Sequence, residues 1–124
     1  MGLFNIFKKK DYPPLKCKFA DILDLMREYI RIDAPTLNLI IRYMGEEHKM
    51  GISSDMEGDE FVDIRYHLDD AEFTTETEYL HEAELSGRYL YLLLDEVVEV
   101  LKDEDLGNWG NPRGNILLEK REIQ

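Results

Sequence analysis

Residues 19–44 read FADILDLMREYIRIDAPTLNLIIRYM, and within this stretch the spacing of apolar side chains changes from three-and-four to two. Phe19, Ile22, Leu23, Met26, Tyr29 and Ile30 recur at helical intervals, with Asp21, Asp24, Arg27, Glu28 and Arg31 opposite them. The pattern predicts an amphipathic helix over 19–31. Asp33, Ala34 and Pro35 end it, because proline removes a backbone donor and biases the preceding residue away from helical angles. From Thr36 to Met44 the apolar Leu37, Leu39, Ile41 and Tyr43 alternate with Asn38, Ile40 and Arg42. That is the period of a half-buried strand.

Downstream, Gly45 to Met50 is polar and turn-like, Gly51 to Ser54 suits a short second strand, and Asp55–Asp59 suits a turn. Phe61 to Leu68 alternates again, with Val62, Ile64, Tyr66 and Leu68 opposite Asp63, Arg65 and His67. Thr75 and Glu78 have capping-box spacing, so a helix is expected over about 75–85, stopped by Gly87. Leu90, Leu93, Leu94, Val97, Val98 and Leu101 keep helical spacing, which predicts helix to at least Asp95; Val97 to Leu101 also suits a strand. Gly107–Gly114 reads as a loop displaying the single tryptophan, Trp109, and Asn115–Ile123 as a last strand. The alternation predicts an α+β fold, a small antiparallel sheet with helices packed on one side. Tyr12, Pro13 and Pro14 separate a basic and apolar tail, residues 1–14, from a single domain, residues 15–124.

With 124 residues and 44% hydrophobic content, the chain suits one core. It carries 27 Asp and Glu against 15 Lys and Arg, a formal net charge of −12. Residues 1–20 hold five Lys and one Asp, which makes the remainder still more acidic. Direct nucleic-acid binding is therefore not expected, since phosphate neutralisation requires a basic face. A lone cysteine, Cys17, excludes an internal disulfide and fits a reducing compartment. No apolar run reaches the roughly 18 residues that span a bilayer. In the first ten residues the apolar group precedes the lysines, the reverse of a signal peptide, and Ile6 breaks the myristoylation pattern. A cytoplasmic protein without stable membrane anchoring is expected.

Catalytic and metal motifs are missing from the sequence. Counted from Asp55 as an EF-hand loop, the glycine falls fourth and the twelfth residue is Tyr66, where a sixth-position glycine and a twelfth-position acid are required. His67, Asp69, Asp70 and His81 have no spacing that fixes a metal geometry, and they read better as surface residues. Cys17 lies between Lys16 and Lys18 but lacks a recognisable His and orienting acid, so it reads as an incidental or buried thiol. No phosphate loop or serine elbow occurs. No cofactor is expected, and no enzymatic activity.

The informative feature is the acidic stretch Asp55–Glu84, with twelve acids against Arg65. Read as one face, it offers Asp55, Asp59, Asp63, Asp69 and Asp70 to a basic protein, with Tyr66, Phe73, Tyr79 and Trp109 as candidate anchors. Tyr66 also suits the core by its strand spacing.

The opening MGLFNIFKKK, the small acidic domain, and the run AEFTTETEYLHEAELSGRYLYLLLDEVVEV at residues 71–100 resemble small bacterial immunity proteins of polymorphic or contact-dependent toxin systems. The resemblance implies a cytoplasmic antidote that binds a basic, nuclease-type toxin domain; it assigns no role to any single residue. The alternative is a general regulatory or structural protein-interaction module, with phage derivation as one option for its source.

Overall fold

The computed structural model describes residues 12–106 and 110–123; residues 1–11, and with them most of the tail, lie outside this range, as does Trp109. Strand β1 (Leu15–Lys18) runs directly into helix α1 (Phe19–Arg31), which leads to β2 (Leu37–Tyr43), β3 (Glu46–Glu57), β4 (Glu60–Leu68) and β5 (Ala71–Phe73). Helix α2 (Glu76–Glu82), a two-stranded hairpin of β6 (Glu84–Leu85) and β7 (Arg88–Tyr89), β8 (Val97–Asp103) and helix α3 (Ile116–Glu119) follow.

Six strands form one sheet in the order β1-β8-β2-β3-β4-β5, with every neighbouring pair antiparallel. Because β8 lies antiparallel between β1 and β2, those two strands run parallel, and α1 is the crossover of a split β-α-β unit. The fold is α+β.

Helix α1 buries Phe19, Ile22, Leu23, Leu25 and Met26 against one face of the sheet. That face supplies Leu15, Cys17, Val98, Val100, Leu37, Leu39, Ile41, Met50 and Ile52. Phe19 meets Tyr43 edge-on with ring centroids 5.2 Å apart. On the opposite face Lys16, Glu99, Arg42 and Glu47 occupy facing positions on four adjacent strands, a transverse row of alternating charge. Within it Arg42 Nε donates to Glu99 Oε1 at 2.9 Å.

Several sequence expectations are corrected. Residues 46–50 form the first part of the long strand β3, because Met44 and Gly45 both take positive φ (54° and 79°) and reverse the chain in two residues. Glu46, Glu47 and Lys49 are the exposed positions of this part of the strand. Helix α2 is shorter than expected and ends at Glu82. Ser86 and Gly87, at φ 54° and 79°, make the tight turn of the β6–β7 hairpin, a conformation glycine enters without a Cβ penalty.

Helix is absent from 88–95, where Leu90–Leu92 form a single 3-10 turn. Leu90 N is drawn to the Ala83 carbonyl at 2.9 Å. The Leu94 and Glu96 carbonyls accept from Ala20 N and Phe19 N, the first amides of α1, at 2.9 and 3.1 Å. These bonds satisfy donors that a helix N-terminus leaves without partners, and they hold 94–96 in a turn, which Glu96 N closes by donating to the Leu93 carbonyl at 2.9 Å. Beyond them, Val97–Asp103 is strand.

The C-terminal segment is helical where a strand was expected. Asn115 caps α3 by accepting from Leu118 N at 3.0 Å, while its Nδ2 donates to Asp103 Oδ2 and to the Tyr29 hydroxyl, both at 2.8 Å. Burial pushes the Asp103 carboxyl above its usual range. The network ties α3 to both β8 and α1.

Candidate functional site

The acidic stretch is divided by the fold. Leu37, the first residue of β2, faces Ile52, and β5 pairs only with Tyr66–Leu68. Ser53–Glu57 and Glu60–Arg65 therefore extend past their outer neighbours as a two-stranded arm. Asp55, Glu57, Asp59, Glu60 and Asp63 lie on it with Arg65. Asp63 takes φ 51° where the β3–β4 register shifts, a bulge of the kind that turns an edge away from further pairing. Arg65 grips Asp55, with Nη2 2.6 Å from Oδ2, and holds its carboxyl below the usual range.

Met56 and Phe61 face each other across the arm and are 54% and 37% exposed. An open groove of about 440 Å³ follows the outer edge of β4, lined by Phe61, Val62, Asp63, Ile64, Arg65 and Thr74. The arm thus combines acids with apolar side chains that water covers at some cost.

Asp69 and Asp70 form the turn at the other end of β4, about 30 Å from the tip of the arm at 3.3 Å per residue. Asp69 is occupied by the fold: its Oδ2 lies 2.8 Å from His48 Nδ1, and its Oδ1 accepts from Lys49 N at 3.0 Å. Asp70 is exposed. Glu76 pairs with Arg27 at 2.7 Å, and Glu78 is held by Thr74 and Thr75 at the start of α2. The single acidic face expected from the sequence is accordingly replaced by separate groups.

The aromatic anchors are corrected as well. Tyr79 is fully buried and Tyr66 nearly so; Phe73 is half-buried, and both rings lie against Tyr79 with centroids at 5.3 and 5.8 Å. Amphipathic spacing on β4 and α2 directs Tyr66 and Tyr79 into the core, and Phe73, on β5, faces Tyr66 in the strand pairing.

Sequence reasoning missed a different aromatic surface. Tyr89 and Tyr91 are each 42% exposed and Leu92 is 51% exposed. The two tyrosine ring centroids stand 6.4 Å apart with planes 18° from parallel, and the His81 ring lies 4.8 Å from that of Tyr91. Glu84 stands directly opposite Tyr89 in the β6–β7 pairing. Buried Leu90 and Leu93 fix the backbone, while Arg88 is held by Glu96 at 2.8 Å and Glu96 also accepts from the Tyr43 hydroxyl. The available signal was the alternation of Tyr89, Leu90 and Tyr91, which a helical reading of the leucine run conceals.

One polar constellation resembles hydrolytic machinery. Ser53 Oγ lies 2.5 Å from His67 Nε2, and Glu72 lies 3.7 Å from His67 Nδ1. At that distance the acid does not hydrogen-bond the imidazole, and the adjoining cavity of about 140 Å³ is smaller than ordinary ligand pockets. The geometry is that of a diagonal cross-strand contact, since Ser53 faces Arg65 and His67 faces Gly51. Cys17 is buried, and its thiol is pushed up to about 12, mainly by desolvation, which opposes nucleophilic use. Among the described residues, no group of three or more His, Cys, Asp and Glu is placed to hold a metal ion. Nor is any helix among them long and apolar enough to cross a membrane.

Comparison with known proteins returned no match: no protein-family model, no curated protein sequence and no solved structure matches the chain.

Proposed function

We propose that this protein is a non-enzymatic binding protein that captures a basic partner, and that it serves in the cytoplasm as an immunity-type antidote to a basic, nuclease-type toxin domain. The observation that carries the reading is the β3–β4 arm, where five acids surround the exposed Met56–Phe61 pair beside the groove along β4. Acids at the tip attract a cationic partner over distance, and the apolar pair supplies contact area once water has left. The resemblance of residues 71–100 to immunity proteins and the strongly acidic balance support the same reading.

The test uses a purified basic, nuclease-type toxin domain as the probe, with association measured by stopped flow between 50 and 500 mM salt. Association should slow steeply with salt, because the Debye length is about 8 Å at 0.15 M. Reversing Asp59, Glu60 and Asp63 to Lys should slow it by about tenfold or more without changing circular dichroism. An unaltered rate and salt dependence would reduce the arm to a solubilising surface. Failure to bind, together with failure to protect cells producing the toxin domain, would refute the antidote reading.

A further inference from the structure

We propose that the His81–Tyr91–Tyr89 surface is a receptor for an arginine side chain of the basic partner, with Glu84 as the counter-charge. The inference rests on the reading of the protein as a binder of a basic protein and assigns its anchoring contact to a surface separate from the acidic arm.

Three observations converge on it. Both tyrosines are substantially exposed although neighbouring Leu90 and Leu93 are fully buried, so the chain presents these rings outward on a fixed backbone. The three aromatic rings are contiguous, with successive centroids at 4.8 and 6.4 Å. Glu84 faces Tyr89 across the hairpin, which places a carboxylate beside the outer ring of the series. The nearby cation on the hairpin, Arg88, is engaged by Glu96 and leaves Glu84 as the acid facing Tyr89.

This combination selects guanidinium among partner groups. A planar cation stacks on a tyrosine face and presents a donor fork to a carboxylate, whereas ammonium is a compact and strongly hydrated point charge. An uncharged apolar group would cover the rings but leave Glu84 facing it without compensation. Charge complementarity therefore favours a basic segment over an apolar one. Exposed tyrosine is also the residue type that supplies large contact area at small entropic cost.

The experiment is a titration of the full-length, ¹⁵N-labelled protein with the capped peptide acetyl-Gly-Arg-Gly-Arg-Gly-amide at low salt. The same peptide with citrulline in place of arginine serves as the uncharged control, and one with lysine as the ammonium control. Amide shifts should centre on His81, Glu84, Tyr89, Tyr91 and Leu92 with the arginine peptide, be weaker with lysine and be absent with citrulline. Replacing both tyrosines by alanine should weaken arginine-peptide affinity about tenfold, while Tyr89→Phe with Tyr91→Phe should retain it because the ring faces remain. Both variants alter exposed side chains, and unchanged thermal unfolding verifies the fold.

Shifts centred on the β3–β4 arm and unaffected by the alanine variant would overturn this assignment while leaving capture of a basic protein intact. Equal binding of the citrulline peptide would overturn it by removing the role of charge. A dimer in sedimentation that the alanine variant dissociates would assign the surface to a second copy of the chain. No shift with either cationic peptide at low salt would refute the arginine receptor; the basic-partner reading would then stand or fall on its own association experiment.

Discussion

The hydroxyl of Tyr79, on a fully buried ring, donates to the backbone carbonyl of His67 at 2.7 Å and so joins α2 to β4. Burial holds this phenol protonated well beyond its usual range, which keeps it a donor. Tyr79→Phe should cost about 1–2 kcal/mol by leaving the carbonyl unpaired, and Tyr79→Ala about 3–5 kcal/mol by opening a cavity beside Tyr66 and Phe73. Urea unfolding measures both. Partner affinity should not change in Tyr79→Phe, since the residue is a core element; a binding loss without a stability loss would contradict that assignment.

At Gly51 a Cβ would sit 1.9 Å from the Leu37 carbonyl oxygen and 3.2 Å from Asn38 Cα, both parts of the facing strand's backbone. The clash cannot be relieved by a rotamer change. Gly51→Ala should destabilise the protein by about 3 kcal/mol, through displacement of β2 from β3. Equilibrium unfolding should show it as a lower midpoint; a midpoint equal to wild type would mean that the two strands separate freely here.

Arg113 holds Glu122 through two donors, at 2.8 and 2.7 Å, and keeps the Glu122 carboxyl below its ordinary value of 4.5. Because the folded state binds this proton more weakly than the unfolded state, the pair's contribution is fully present above about pH 4.5 and is lost as pH falls through the depressed value. The melting-temperature difference between wild type and Glu122→Gln should therefore be constant near neutrality and shrink below pH 4.5. A difference that grows in acid would reverse the assignment.

Cys17 is buried, with its thiol raised from 9.0 to about 12. At pH 8 a shift of that size reduces the thiolate population by roughly a thousandfold, and burial slows attack further. A thiol reagent such as Ellman's should fail to label the native chain and label it promptly in urea. Prompt labelling of the native protein would place the thiol at an accessible surface.

Much of the candidate site was beyond the reach of the sequence. The acids themselves are legible, but whether Asp69 faces a partner or His48 depends on which strand comes to lie beside the β4–β5 turn. Tyr66 was readable as either anchor or core and Tyr79 was read as an anchor, and only the packing of α2 on β4 and β5 buries them. Tyr89 and Tyr91 are exposed because the chain turns at Ser86–Gly87 and Leu90 N bonds the Ala83 carbonyl, so helix α2 does not continue into the leucine run.

By itself the sequence determined the α+β class, helix α1 over 19–31, the strands around 37–43 and 61–68, and the Thr75 cap of α2. Each depends on a period or a hydrogen bond spanning a few residues, and α1 and these strands have one apolar face strong enough to decide which way they turn. Tertiary structure alone decided the state of 90–101, the strand character of 46–50 and the helical turn at 116–119. In these segments local preference is nearly balanced, so the outcome is set by distant partners: the first amides of α1 for 94–96, β2 for 46–50, and Asp103 with Tyr29 for the residue that caps 116–119. Backbone groups must be paired once buried, and the partner that becomes available only on folding chooses between helix and strand.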